Sequence, residues 1–247
     1  MVKNHTFGHL EIKFNKIGGR GARISKEFLR SLLRQIVIRS TKYHDDAKLT
    51  GVADYRDHVF TYRERQLHSV VCPAIASLTS HFLIENPLER KPTGKPEYSG
   101  SVDYWIFYKH FSFLMELKHT YFGYTRAEHP RTSIAGKLSA ALKQLDDIRI
   151  EECRNQTFGK GLRKIALEAI VFYRGSRDAK SLTAGIEIAN FESLFRKLIE
   201  NAKIGPKINL RALWVLDRRL VEPFQYGKSY EIYPAVAFIG HLSEIVV

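Results

Sequence analysis

The chain has 247 residues, of which 44% are hydrophobic and 12% aromatic, so it can bury a core and is neither disordered nor fibrous in composition. Its 39 lysines and arginines exceed its 26 aspartates and glutamates by 13, and its pI is near 9.7. This excess favours a polyanionic partner, nucleic acid first and an acidic membrane second.

The cysteines and the apolar runs bear on the compartment. Cys72 and Cys153 lie far apart in the chain, which argues against a disulfide framework or a zinc ribbon. No apolar run approaches the ~20 residues of a membrane span, and the first residues lack the apolar core of a signal peptide. We therefore expect a cytoplasmic protein without a membrane partner.

The N-terminal region carries a disproportionate share of the positive charge. Residues 1–50 contain eleven Lys or Arg and four Asp or Glu. After a predicted strand at Leu10–Phe14 and a glycine-rich loop, Ser25 is predicted to cap a helix that runs to Arg39. We predict residues 1–60 to be a basic extension or subdomain and residues 61–247 to be the core domain.

One side of this first helix is predicted to be a cationic ridge. Its members recur at about one-turn intervals or lie just before the helix: Arg20, Arg23, Lys26, Arg30 and Arg34. We predict that the ridge contacts nucleic-acid phosphates. The alternative is an ordinary solvated helix face.

The rest of the chain alternates helices with apolar strands. The predicted elements are a helix at 62–83, a loop at 86–101, strands at 102–108 and 111–119, a helix at 133–153, a strand at 163–173, a helix at 190–203, and strands at 209–217 and 230–239. This order predicts an α/β (α+β) domain, in which helices flank a mixed central sheet.

The segment 101–119, SVDYWIFYKHFSFLMELKH, is an apolar hairpin that contains unexpected charges. If its turn is centred between Lys109 and His110, Asp103 lies opposite Glu116, and Lys118 lies on the same face. Charges in an apolar sheet are costly unless they are paired or bind a metal. The alternative to a functional site is a structural ion pair at the end of the sheet.

Two carboxylates and one ammonium leave an excess negative charge, which a divalent cation would balance. Mg²⁺ prefers oxygen ligands such as those of Asp103 and Glu116. Lys118 could then hold or deprotonate an attacking water, or stabilise negative charge on a phosphate. These three residues are our predicted catalytic set.

The spacing of these residues resembles a known signature. Asp103, followed after twelve residues by Glu116-Leu117-Lys118, looks like the D…(D/E)-x-K motif of the PD-(D/E)XK nuclease superfamily, and the likeness covers about residues 62–174. Gly100-Ser101-Val102-Asp103 is similar to the G-x-x-D form of its RecB-like branch, with Val102 in place of the proline that names the superfamily.

This resemblance implies a restriction-endonuclease-like core: a helix, strands that carry the motif, a helix and a further strand. It also implies a metal-binding glutamate on the preceding helix, for which Glu64 is the first candidate and Glu85 the second. Gln144 matches the glutamine of the RecB-like Gln-x-x-x-Tyr pair and could position the substrate, although Ile148 replaces the tyrosine.

We therefore predict a nuclease that uses Mg²⁺ or Mn²⁺ and cleaves nucleic acid, with DNA as the expected substrate. The alternative is a catalytically inactive protein of this fold that binds nucleic acid or a protein. A homodimer and an ATP-driven helicase or ATPase are both compatible partners. His119 and Glu168 are predicted to be structural.

Overall fold

An eight-stranded, mostly antiparallel sheet forms the centre of the protein and has helices on both faces. The computed structural model describes residues 7–49, 59–61, 64–124, 132–149, 151, 153, 161–182 and 187–245. The strands are β1 His9–Phe14, β2 Phe82–Arg90, β3 Tyr98–Tyr108, β4 Phe111–Gly123, β5 Gly161–Ser176, β6 Leu210–Val215, β7 Phe224–Tyr226 and β8 Ser229–Ile245. The helices are α1 Ala22–Leu49, α2 His68–Ala76, α3 Thr132–Asp146 and α4 Ile188–Asn201.

The strands are ordered β1-β6-β8-β5-β4-β3-β2, and β7 pairs with β8. Strands β4 and β5 are parallel, whereas the other pairs are antiparallel. A parallel pair needs a crossover connection, and α3 lies in the one between β4 and β5. The structure thus confirms a mixed sheet flanked by helices.

The sheet separates two apolar cores. Buried residues of α1 and α2, such as Phe28 and Val71, pack on one face. Buried residues of α3 and α4, such as Leu138 and Phe191, pack on the other. Strands β5 and β8 contribute to both cores, which explains why their sequences are apolar almost throughout.

The region between residues 62 and 101 differs most from expectation. The predicted helix at 62–83 is wrong beyond Ala76, because β2 begins at Phe82. The predicted loop at 86–101 is also wrong, because most of it belongs to β2 and β3. Proline is typical of loops, but it is tolerated in an edge strand. Strand β2 lies at the edge of the sheet and contains Pro87, which explains the incorrect prediction of a loop.

The N-terminal region is part of the same sheet and core. Strand β1 pairs with β6, and Phe28 of α1 stacks on Phe113 of β4 with ring centroids 4.6 Å apart. Ser25 is not an N-cap: it is buried within α1, and its hydroxyl donates to the Gly21 carbonyl at 3.0 Å. Within the described residues, no helix is both long and apolar enough to cross a membrane.

Candidate active site

The β3–β4 hairpin turns where the sequence predicts. Lys109 and His110 both have positive φ angles, 45° and 67°, as a two-residue hairpin turn of the favoured type requires. Tyr108 pairs with Phe111, and the ladder continues to Tyr104 opposite Met115. Tyr104, Phe113, Met115 and Leu117 lie in the core beneath α1 and α2, so Glu116 and Lys118 face α3.

Asp103 does not continue this ladder, contrary to the predicted pairing with Glu116. The β3–β4 ladder ends at Tyr104, and the β2–β3 ladder omits the pair Glu85–Asp103. Instead, the Asp103 carboxylate accepts a hydrogen bond from the Leu117 backbone N–H at 2.7 Å. Asp103 therefore reaches the cluster by bonding to the β4 backbone where regular pairing stops.

The structure nevertheless brings the predicted charges together around one ammonium. Lys118 Nζ lies 3.5 Å from Glu116 Oε2, 3.7 Å from Glu64 Oε1 and 3.8 Å from Asp103 Oδ2. The Glu116 side chain is 1% exposed and that of Lys118 is 11% exposed. Lys118 is thus a nearly buried cation shared by three carboxylates.

A buried arginine, which the sequence did not reveal, completes the cluster. Arg90 at the end of β2 is 2% exposed, and its Nη2 donates to Glu116 Oε1 at 2.8 Å. The same guanidinium donates to the backbone carbonyls of Gln144 and Ser101. Arg90 therefore fixes Glu116 and ties β2, β3 and α3 together.

Gly100 makes room for this arginine. A Cβ atom at Gly100 would lie 2.6 Å from Arg90 Nε and 2.9 Å from its Cδ, which is closer than real Cβ contacts. The glycine of the Gly100-x-x-Asp103 motif therefore has a local structural reason in this chain, because a side chain there would displace the arginine that holds Glu116.

The ionised form of Glu116 is disfavoured despite its two cationic partners. Burial and the negative charge of Asp103 raise the pKa of Glu116 to about 7, although Arg90 and Lys118 act in the opposite direction. Three carboxylates around two cations leave one excess negative charge when all are ionised. Burial is the first cause of the raised pKa, and the excess negative charge adds to it.

The excess negative charge of the cluster bears on whether it could bind a metal ion. Carboxylate oxygens with excess negative charge are suitable donors for a hard divalent cation. Within the described residues, however, no three Asp, Glu, His or Cys side chains are already arranged to hold an ion. The donor chemistry thus fits Mg²⁺ or Mn²⁺, while the carboxylates here converge on Lys118 Nζ.

Of the two glutamates considered as a third ligand, only Glu64 contacts Lys118. Glu64 lies in a 3₁₀ turn at Glu64–Leu67, before α2 rather than in the predicted long helix. Glu85 is exposed on the edge strand β2 and has a positive φ of 47°. Glu64 therefore lies at the carboxylate cluster, and its role as a metal ligand stays a prediction.

A cleft opens beside the cluster between α3 and the β2–β3 hairpin. It encloses about 400 Å³ and is lined by Lys118 and Glu64 together with Pro92, Lys95, Tyr98, Lys137, Ala140, Lys143, Gln144 and Asp147. Gln144 thus lies at the cleft as well as bonding Arg90 through its carbonyl. Four lysines and only two carboxylates face this space, so its lining is cationic.

The predicted cationic ridge lies elsewhere. Arg20, Arg23, Arg30 and Arg34 are exposed and Lys26 is half-buried, and the Arg30 guanidinium lies 5.5 Å from the centre of the Phe14 ring. Their helix packs on the sheet face opposite α3. The ridge and the lysine-lined cleft are therefore on different sides of the sheet.

The cleft lysines were missed, although the α3 sequence contains a signal. Lys137, Ala140 and Gln144 recur with helical spacing beside the apolar stripe of Ile134, Leu138 and Leu145, and Asp147 continues the series just after the helix. The sequence carries no comparable signal for Arg90, because the Pro-rich segment around it is typical of a loop.

Two further titratable residues lie near Lys118. Glu168 is directly opposite Lys118 across β4 and β5, and its Oε1 accepts from the Thr120 hydroxyl at 2.6 Å. Burial raises the pKa of Glu168 to about 8. On the other face, burial lowers the pKa of His119 to about 4, so the neutral ring can donate from Nε2 to the Phe60 carbonyl at 3.0 Å.

Comparison with known proteins adds no relative. The chain matches no family model, no curated protein and no solved structure.

Proposed function

We propose that this protein is a metal-dependent nuclease that hydrolyses phosphodiester bonds, with DNA as the expected substrate. The observation that carries the proposal is Lys118 Nζ, which lies within 3.8 Å of three carboxylates at the wall of a cationic cleft. An ammonium, oxygen ligands and nearby lysines are the groups that phosphoryl chemistry requires.

The order of elements supports the same proposal. Helix α2, strands β2, β3 and β4, helix α3 and strand β5 follow one another, and the resemblance to PD-(D/E)XK nucleases implies a helix, strands that carry the motif, a helix and a further strand. Asp103 lies on β3 and Glu116-Leu117-Lys118 lie on β4, the last two of the three strands between these helices. A restriction-endonuclease-like core is therefore our proposed fold assignment.

In the proposed mechanism Asp103, Glu116 and Glu64 would hold the metal ion, which supplies Lewis-acid activation of water and charge neutralisation at the phosphate. Lys118 orients the attacking water or donates to the phosphate oxygen on which charge develops. Arg90 keeps Glu116 in place, and Gln144 lines the cleft that receives the substrate.

The second candidate is a protein of this fold that binds nucleic acid without cutting it. Two observations favour it: Arg90 and Lys118 are already cationic partners of Glu116, and no three potential ligands within the described residues are arranged to hold a metal ion. In that case the cluster would be a structural charge network beneath a binding cleft.

Cleavage assays distinguish these two functions. Supercoiled plasmid, linear duplex, single-stranded DNA and RNA are incubated with Mg²⁺, Mn²⁺ or EDTA. The nuclease proposal expects cutting only with metal, and a loss of about 100-fold or more in Lys118→Met and Asp103→Asn. Lys228→Met, in the exposed turn between β7 and β8, is the matched control and should cut normally.

Each variant must show a cooperative urea-unfolding transition and the circular dichroism spectrum of a folded protein. Only then does a loss of cleavage show a role of the substituted residue in the reaction. Binding without cutting under every metal condition would instead establish the second candidate.

A further inference from the structure

The lysine-lined cleft combines features that bear on the form of the substrate. We define the strand cleft by five of its lining residues: Lys95, Tyr98, Lys118, Lys137 and Lys143. Lys95 and Tyr98 come from the β2–β3 hairpin, Lys137 and Lys143 come from α3, and Lys118 is the cation of the candidate active site. A ligand in this cleft would therefore reach the carboxylate cluster.

The lysines of the strand cleft are available for anions. Lys95, Lys137 and Lys143 are exposed, and among the described residues no carboxylate forms an ion pair with any of them. Exposed ammonium groups on facing walls can bind successive phosphates of a nucleic-acid backbone.

An aromatic ring stands among these cations. Tyr98 is 46% exposed, which is unusual for a large aromatic side chain, and it pairs with Arg90 across the β2–β3 ladder. Directly paired residues share a sheet face, so Tyr98 is on the face to which Arg90 and Glu116 belong. Lysines beside an accessible aromatic ring are the combination that binds unpaired strands, because every base has a face that can stack.

The two walls of the strand cleft are fixed to each other. The Lys91 N–H donates to the Asp147 carbonyl at 2.6 Å, and the Arg149 N–H donates to the Glu89 carbonyl at 3.1 Å. Glu97 also pairs with both Lys91 and Arg149, at 3.2 Å and 3.1 Å. The hairpin is therefore bound to the end of α3, which limits how far the cleft can widen.

The cleft is of nucleotide scale, since its volume is about 400 Å³. The exposed ring, and not this volume, favours a single strand, because a base can stack on Tyr98 only when it is not held in a duplex.

We propose that the strand cleft binds an unpaired polynucleotide, with phosphates on Lys95, Lys137 and Lys143 and a base stacked on Tyr98. This rests on the proposed function and deepens it, since it assigns to the nuclease a single-stranded region as its substrate.

Binding without catalysis tests the proposal. Fluorescence anisotropy in EDTA measures the affinity for three probes. Two are single strands about 12 nucleotides long, one of DNA and one of RNA. The third is a DNA duplex whose closing loops are chemically modified so that they offer no base that can stack. We expect the single strands to bind at least about 10-fold more tightly than the duplex, and the DNA and RNA arms identify which polymer is preferred.

Variants of Tyr98 separate ring stacking from simple apolar contact. Tyr98→Leu should weaken single-strand binding about 5- to 100-fold, whereas Tyr98→Phe should bind like the wild type. Lys137→Gln should reduce the slope of log affinity against log salt by about 0.7, and the distant control Lys228→Gln should leave it unchanged.

The outcomes separate this inference from the proposed nuclease activity. Ring-dependent single-strand binding without cutting by any metal would support the strand cleft and overturn the nuclease. Metal-dependent cutting with equal affinity for duplex and single strand, or wild-type binding by Tyr98→Leu, would overturn the strand cleft alone.

Discussion

Strand β4 presents different chemistry to the two sides of the sheet. Phe113, Met115 and Leu117 enter the apolar core beneath α1 and α2, whereas Glu116 and Lys118 face α3 beside buried charges. Burial of apolar surface stabilises the first side directly, but the second side must satisfy every charge through a partner. The face toward α3 also packs apolar side chains, Leu114 and Phe122, so β4 carries its polar site within a second apolar core.

The charged face should be the more sensitive to loss of a single partner. Arg90→Met removes the partner of buried Glu116 and leaves the carbonyls of Gln144 and Ser101 without their donor. We expect a loss of about 3–5 kcal/mol in the free energy of unfolding, measured by urea denaturation at neutral pH.

Two controls accompany this prediction. Arg149→Met removes a partly exposed ion pair with Glu97, but Glu97 retains its ion pair with Lys91. The free energy of unfolding should therefore fall by less than about 1 kcal/mol. Adding Glu116→Gln to Arg90→Met should recover part of the loss, because the uncompensated charge is then gone. A double variant no more stable than Arg90→Met would contradict this explanation.

The apolar face should respond to shape instead of charge. Phe113 stacks on Phe28 at 4.6 Å, so Phe113→Leu loses ring contact but little volume. We expect the free energy of unfolding to fall by about 1–2 kcal/mol, with no dependence on pH between about 5 and 9. A pH-dependent loss would mean that the two faces are electrostatically coupled through the strand.

Glu168 offers a pH test of the charged face. Its pKa in the folded protein, about 8, exceeds its ordinary value of 4.5, so the unfolded state releases this proton first as pH rises. The contribution of Glu168 to stability is therefore complete below about pH 4.5 and is lost as pH rises through 8. Glu168→Gln carries no charge and should escape that loss.

We expect Glu168→Gln to match the wild type below about pH 4.5 and then to exceed it by about 1.4 kcal/mol more for each pH unit up to about pH 8, in urea unfolding at each pH. Thr120→Val is the informative companion, because it removes the hydroxyl that stabilises the ionised form and should extend the decline to higher pH. Parallel stability profiles for wild type and Glu168→Gln would show that Glu168 does not titrate in this range.

The sequence predicted those parts of the site that depend on local periodicity. The Lys109-His110 turn and strict alternation were enough to assign Glu116 and Lys118 to one face. Asp103 was predicted in the correct cluster for an incorrect reason. Alternation cannot show that the β3–β4 pairing ends at Tyr104, or that the Asp103 carboxylate then accepts a hydrogen bond from the β4 backbone. Such a break depends on the neighbouring strand.

The unpredicted parts depend on distant residues. Arg90 reaches Glu116 only because β2 is an edge strand next to β3, and its Pro87 resembles a loop residue when the sheet is unknown. Similarly, Lys95 and Lys137 are 42 positions apart and share a cleft only because the β2–β3 hairpin is bound to α3. Spacing within one element carries no information about such contacts.

Substitutions in the exposed ridge on α1 should have the smallest effect on stability and on nucleic-acid binding. They distinguish the contribution of the ridge from that of the strand cleft. Arg23, Arg30 and Arg34 are solvated and lie across the sheet from the strand cleft. We expect their combined replacement by glutamine to change the free energy of unfolding by only about 1 kcal/mol, most of it from the contact of Arg30 with the Phe14 ring. At low salt it should weaken nucleic-acid binding only a few-fold, since attraction over this distance is screened by salt.

The contrast with Lys137→Gln lies in the salt dependence. Direct phosphate contacts set the slope of log affinity against log salt, whereas remote charges lose their influence near about 0.15 M salt, where the screening length is about 8 Å. If the ridge triple variant lowers this slope by about two or more, the ridge itself holds phosphates, and nucleic acid must follow a path over both sides of the protein.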